Sequence, residues 1–158
     1  MIEIKKSNNA DTRTADAEVT KDMLLEDTQS HIQDVQNGCS FIANLILKAG
    51  ENHDHTKIEY LDEFYNDFIT RKEDGEFKNL DWWQKHLTER HHLNDRVPND
   101  VNLIDVIEMV VDCCMAGMAR SGYVYDIDIP SNVLDKAVKN TQKLITSQIK
   151  VINDKKYW

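Results

Sequence analysis

The chain has 158 residues, 41% of them hydrophobic and 30% charged, the size and balance of one ordinary domain with a sizeable core. Five Gly and two Pro are too few for the many turns of a sandwich or barrel, which argues against an all-β fold. The net charge of −9 makes a poor general binder of DNA, RNA or anionic lipid, while a small phosphorylated ligand stays open because a metal ion reverses the sign locally.

No apolar run approaches the roughly 20 residues that span a bilayer, so no membrane partner is expected. The start, Met1-Ile2-Glu3-Ile4-Lys5-Lys6, has no apolar stretch of signal-peptide length. Three cysteines, two of them adjacent (Cys113-Cys114), form neither a disulfide framework nor a zinc knuckle. The expected compartment is the reducing cytoplasm.

Residues 1–18 are polar and aperiodic, which predicts a flexible N-terminal arm before one helical domain over 19–158. A first helix is predicted over about 20–49. Leu24, Thr28, His31, Val35, Gly38, Ile42, Leu45 and Ala49 share one face, and Gly50 is a plausible stop. A second helix is predicted from about Asp54 to Arg71, with Ile58, Leu61, Phe64, Tyr65 and Phe68 as its inner stripe. Lys72-Glu73-Asp74-Gly75-Glu76 reads as an exposed loop. A third, short helix opens at Asp81-Trp82-Trp83-Gln84, with Asp81 as cap and Gln84 in a capping-box variant, and ends near His91-His92.

The fourth predicted helix, about 101–121, is apolar nearly all round and belongs in the middle of a bundle, with Gly122 as its stop. Tyr123 to Ile129 alternates and reads as a short extended link. Ser131 caps a final helix over about 132–152, in a basic segment with six Lys against two Asp over residues 132–158. The fold class is all-α, a single-domain bundle of about five helices. The basic last helix beside an acidic body leaves open either self-association as a homo-oligomer or a solvated lysine face.

Three features carry candidate chemistry. Asp105, Glu108 and Asp112 sit at offsets of 0, 3 and 7 on the fourth helix and so share one face. Buried, they require cations, hydrogen-bond donors or a metal; otherwise they form an exposed stripe. His53-Asp54 at a helix start offers an imidazole and a carboxylate to one divalent ion, such as Mn, Fe, Zn, Co or Ni; the plain alternative is that Asp54 caps the helix and His53 is a loop residue. His86, with His91-His92, faces either a common site or solvent. His31 is a ligand or an ordinary core histidine. All six histidines fall between His31 and His92.

The order His, His-Asp, further His, then Asp resembles the HD-domain superfamily of metal-dependent phosphohydrolases. The matching positions are His31, His53-Asp54 and Asp112, followed for the His-Asp pair by Thr56-Lys57, with Lys57 in the phosphate-facing place. His91-His92, with His86 beside it, matches the added histidines of members with two or three metals. The segment 53–117 is also similar to an uncharacterised phage and bacterial family reading His-Asp-x-Ser/Thr-Lys, then His, His-His and Glu-Met-x-x-Asp; here the last element is Glu108-Met109-Val110-Val111-Asp112. The Gly-Tyr-Pro element of the cyclic-dinucleotide branch is absent, and Lys57 stands where nucleotidase-like members carry Glu.

The resemblance implies a divalent ion (Mn, Fe, Zn, Co, Ni or Mg) held by His31, His53, Asp54 and Asp112, with Asp54 bridging to a second ion on His86, His91 or His92. It implies that Lys57 holds the phosphate of a small phosphorylated substrate, and that Glu108 orients a ligand or accepts a proton. The expected reaction is hydrolysis of a nucleotide or other small phosphate ester, in a host cytoplasm if the chain is phage-encoded. Trp82, Trp83 and Tyr60 are candidates for stacking on a base or, alternatively, for core packing. Two other functions compete. One is an all-α nucleoside triphosphate pyrophosphatase using Glu59, Asp62, Glu63, Asp105, Glu108 and Asp112 for Mg. The other is a non-enzymatic bundle that binds a host protein, its acids satisfied by Lys or Arg.

Overall fold

The computed structural model describes residues 1–6, 19–74, 80–124 and 126–153. Helices dominate. In chain order the elements are β1 (Ile2–Lys6), α1 (Lys21–Asn52), α2 (His55–Glu59), α3 (Leu61–Asp74), α4 (Asp81–His86), α5 (Leu103–Ser121), α6 (Ser131–Gln148) and β2 (Ile149–Asn153). The all-α class therefore holds, with a two-stranded parallel pair added. Among the described residues no helix is long and apolar enough to cross a membrane. The chain divides into two compact units, Met1–Asn44 with Gln142–Trp158, and Leu45–Thr141. The division runs through α1 and α6, so no linker composition marks it.

In the first unit, β1 pairs with β2 in the register Ile2 to Ile149 through Lys6 to Asn153. Part of the expected arm, Ile2–Lys6, is thus a strand; residues 7–18 lie outside the described residues. The final helix correspondingly stops at Gln148, short of the expected 152. Isoleucine and valine at 149, 151 and 152 favour the pleated conformation, and Ile2 becomes buried there. The helix α1 passes through Gly50 without stopping. Its half-buried residues include Leu24, Asp27, Asp34, Gly38, Ile42 and Leu45, and the face is rotated so that Thr28, His31 and Val35 are exposed.

The second unit has its core where α5 and α6 meet the loop between α4 and α5. Leu93, Val101, Val106, Met109, Val133 and Ala137 form the buried cluster. Two polar contacts lock the helices: Leu103 N–H donates to Thr141 Oγ1 (2.8 Å), and Asn140 Nδ2 to the Val101 carbonyl (2.9 Å). The predicted second helix is broken at Tyr60 into α2 and α3. The expected loop at Lys72-Glu73-Asp74 belongs to α3, and Gly75-Glu76 lie outside the described residues.

The capping expected of Asp81 is not made. Leu80 is the N-cap, and α4 ends at His86, after which tight turns carry the chain through His91-His92. The capping box sits instead on α5: the Asn102 side chain accepts from Ile104 N–H, and Asp105 accepts from the Asn102 N–H. Gly122, at φ 75°, stops α5 as expected. Apolar residues ring α5, but it is buried on one face only. Ile107, Val111, Met115 and Met118 are 37–67% exposed, because the core takes the opposite face through Val106 and Met109.

Candidate metal centre

His53 and Asp54 link α1 to α2. Asp54 holds φ 57° and ψ 23°, the one non-glycine residue in the left-handed region among the described residues. Aspartate tolerates this conformation better than most side chains. It occupies the N-cap position of α2, yet its side chain makes no capping hydrogen bond. The plain alternative from the sequence, a helix cap, is therefore not what the carboxylate does. Oδ1 lies 3.5 Å from His86 Nε2 and 3.9 Å from His91 Nε2, and Oδ2 lies 3.8 Å from His53 Nε2 and pairs with Lys57. One carboxylate thus faces two histidine sets with its two oxygens.

The remaining donors converge from α4, the following turns and α5. His53 Nε2 lies 3.5 Å from Asp112 Oδ1, and His92 Nε2 lies 2.9 Å from His86 Nε2. Two ligands on one ion, each about 2.1 Å from it, stand no more than about 4.2 Å apart. All these pairs fall inside that limit. Three sets bring one donor atom from each residue within 4.8 Å of one another and so could hold an ion: His53, His91 and Asp112; Asp54, His91 and His92; and Asp54, His86 and Glu89. Imidazole mixed with carboxylate suits Mn, Fe, Co, Ni or Zn.

The orientation of the rings is itself built. Glu108 Oε1 accepts from His53 Nδ1–H at 3.1 Å, which leaves His53 Nε2 with its lone pair toward Asp54 and Asp112. Thr56 gives its hydroxyl hydrogen to Glu89 Oε1 at 2.5 Å, so its oxygen accepts from His86 Nδ1–H at 2.8 Å. His86 Nε2 is then a lone pair as well, facing His92 and Asp54. Trp82, 1% exposed, stacks on the His86 ring at 4.8 Å and donates to the Thr56 carbonyl. It packs the centre from behind, in the core role weighed against base stacking. Buried His91 Nδ1 lies 3.2 Å from Glu108 Oε1 and 3.8 Å from Glu89 Oε2, in neither case with hydrogen-bond alignment. With Nδ1 toward these two carboxylates, His91 presents Nε2 to Asp54.

The charges match that arrangement. Burial lowers the His86 and His92 pKa values, His92 to about 4, with neighbouring histidines adding to the effect; both rings stay neutral, as ligation requires. Burial also opposes charge on His91, but Glu108, Glu89 and Asp112 outweigh it and raise its pKa. Burial pushes the Asp54 and Glu108 carboxyls up, but Lys57 and His53 hold Asp54 down, and His91 and His53 hold Glu108 down. Both are carboxylates at neutral pH.

Of the residues singled out from the sequence, His53, Asp54, Lys57, His86, His91, His92, Glu108 and Asp112 come together in the second unit. His31 does not belong to these sets: it is exposed on α1 in the first unit, on a groove with Asp27 and Asp34. Asp105, from the same acidic stripe, is 3% exposed and held by Arg90 through Nε–Oδ1 (2.7 Å) and Nη2–Oδ2 (2.8 Å). Glu63 pairs with Lys85. Sequence reasoning missed Glu89 and Arg90. Both stand in Thr88-Glu89-Arg90-His91-His92, whose alternation of charge with histidine was the available signal. No protein-family model, curated protein or solved structure matches the chain.

Proposed function

We propose that the unit Leu45–Thr141 is a divalent-metal-dependent phosphohydrolase of the HD type, acting on a nucleotide or other small phosphate ester. One observation carries the reading: Asp54 forgoes the cap of α2 and divides its oxygens between His53 on one side and His86 and His91 on the other. A carboxylate so placed would serve an ion on its histidine side while standing beside a second donor set. His53, His91 and Asp112 would hold one ion, and Asp54 with His86 and Glu89 the other. Bound there, a divalent cation lowers the pKa of a water and offsets charge on a phosphoryl group.

The chain's own groups supply the rest. Lys57 pairs with Asp54 Oδ2, at the edge of the same carboxylate, where its ammonium meets an incoming phosphate oxygen. Glu108 fixes the His53 ring, and Thr56 with Glu89 fixes the His86 ring, so both present Nε2. Glu108 is therefore a positioning residue, the orienting half of the two roles expected for it. His91 stands beside His53 and Asp112, so this set needs no contribution from His31.

The test is metal content followed by turnover. Purified protein is assayed for bound metal, then screened with nucleotides and p-nitrophenyl phosphate under added Mn, Co, Ni or Mg. Metal-dependent release of phosphate that disappears in a His53→Ala, Asp54→Ala double variant is the expected result. Unchanged metal binding in that variant refutes the assignment.

A further inference from the structure

A groove of about 500 Å³ opens beside the metal centre within the second unit. His53, Asp54, Glu108 and Asp112 line it together with Ile46, Gly50, Ile107, Val111, Met115, Ala116 and Arg120; in the order of α5, Ile107 and Val111 flank the two acids, and Met115 and Ala116 separate Asp112 from Arg120. The size suits a ligand of nucleotide dimensions. Its wall is a single row on α5: Glu108, Asp112, Ala116 and Arg120 recur every fourth residue and so lie one above another. Asp112 and Arg120 are eight residues apart, a rise of about 12 Å. Helical side chains lean toward the N-terminus, so the guanidinium reaches back along the groove toward Asp112. The two charged ends are separated by one to two helical turns, about 5–12 Å.

Arg120 is exposed, and among the described residues it has no carboxylate within ion-pair distance. It also borders a smaller groove with Asp126, without an ion pair to it. The apolar floor beside it is partly exposed: Met115 is 67% and Val111 48% accessible. A permanent cation at the far end of a groove whose near end would take a phosphate makes a complementary pair of anchors. Guanidinium binds carboxylate or phosphate bidentately, and the apolar middle favours a ring or short hydrocarbon over a sugar-like chain.

Resting on the reading of the centre as a phosphate-ester site, we propose that its substrates are two-headed anions. The phosphoryl group sits at the Asp54–Asp112 end, an apolar ring lies along Met115 and Ala116, and a second anionic group pairs with Arg120. Arg120 is then a specificity residue, with no part in activating the reacting phosphoryl group.

The experiment uses the full chain and two probes with non-hydrolysable carbon–phosphorus bonds, phenylphosphonate and 4-carboxyphenylphosphonate. Mn²⁺ binding is first measured by calorimetry, then each phosphonate is titrated into the Mn²⁺-loaded protein. The carboxylated probe is expected to bind about 10-fold tighter, the value of one good charge-assisted pair. Arg120→Ala removes that advantage, Arg120→Lys keeps part of it, and phenylphosphonate and Mn²⁺ bind all three proteins alike. Equal affinity of the two probes for the unaltered chain overturns the proposal, as does an Arg120→Ala variant that weakens both probes equally. Either result leaves the metal centre standing if Mn²⁺ still binds. A chain that binds no Mn²⁺ overturns the phosphohydrolase reading and this proposal with it.

Discussion

Two ends of one acidic stripe on α5 meet different partners. Asp105, in the first turn, is buried against the Arg90 guanidinium and closes the capping box with Asn102. Glu108 and Asp112, one and two turns later, meet imidazoles: His53 and His91 for Glu108, and His53 for Asp112. The helix treats all three alike, since their spacing puts them on one face. What separates them is the cation opposite. Arginine carries a permanent charge, so the Asp105 pair is closed. An imidazole, unlike a guanidinium, can also offer a lone pair, so the donors at the Glu108–Asp112 end could share a metal cation.

Breaking the open end has the largest expected effect on binding. Asp54→Ala should cost at least 100-fold in Mn²⁺ or Zn²⁺ affinity, because two of the three candidate sets share that carboxylate. His91→Ala should cost a similar factor, since it also serves two sets. Calorimetric titration checks both, and retention of full affinity in either variant removes that residue from the ligands.

Breaking the closed end should cost stability and spare the metal. Arg90→Ala leaves the Asp105 carboxylate, 4% exposed, without its main cation. A fully buried pair broken this way loses about 3–5 kcal/mol. The Arg90 side chain is 41% exposed, so solvent screens the pair and about 2–3 kcal/mol is the better expectation. Chemical denaturation measures it, and adding Asp105→Asn should recover part of the loss by removing the stranded charge. Reduced metal affinity in folded Arg90→Ala would mean that the two ends are coupled.

Glu108 stands between the two regimes. It is a carboxylate of the stripe, but it acts through the rings it holds. Glu108→Ala should weaken metal binding about 10–100-fold, the usual cost of losing an orienting partner, while Glu108→Gln, which keeps an acceptor for His53 Nδ1–H, should cost less. Identical losses in the two variants would make its charge, and not its hydrogen bond, the working feature.

The pH response of the metal-free protein sharpens the contrast further. His92 ionises near 4 when folded, against its ordinary 6.5, because burial and neighbouring histidines disfavour the charged ring. A depressed histidine binds fewer protons folded than unfolded. Its penalty is absent above pH 6.5 and grows as pH falls toward 4. His86 shifts in the same direction and His91 in the opposite one. In chelator-treated protein, melting temperature should therefore fall over that window, and His92→Gln should flatten the fall. An unchanged slope in His92→Gln would place the pH sensitivity elsewhere.

The sequence made much of this legible. Helical periodicity located the helical stretches, and Gly122 stopped α5 where a left-handed residue was needed. The resemblance, carried by residue type and order, grouped His31, His53, Asp54, His86, His91, His92 and Asp112, and all of these but His31 fall in the metal-capable sets. Three things were hidden for physical reasons. The strand Ile2–Lys6 exists through a partner about 147 positions away, which local pattern does not report. The cap stood as an alternative for Asp54 because caps are specified by residue type, while its side-chain direction depends on a left-handed backbone. Glu89 and Arg90 went unread because their roles come from long-range contacts to Thr56 and Asp105.

The smallest expected effect concerns His31, the residue that resemblance placed first in the ligand order. On α1 it is exposed, with Asp27 one turn before it and Asp34 one turn after, and it lines a groove of the first unit with Ile2 and Ile149. It belongs to none of the metal-capable sets, whereas His91 completes His53 and Asp112. His31→Ala should therefore leave metal affinity within about twofold and stability within about 0.5 kcal/mol, the range of an exposed substitution. Paired with His91→Ala, it decides which histidine is the ligand. If affinity collapses in His31→Ala and survives in His91→Ala, the order read from the sequence is restored. The reverse result makes the site a property of residues 45–141 alone, with its first histidine recruited from the turns after α4.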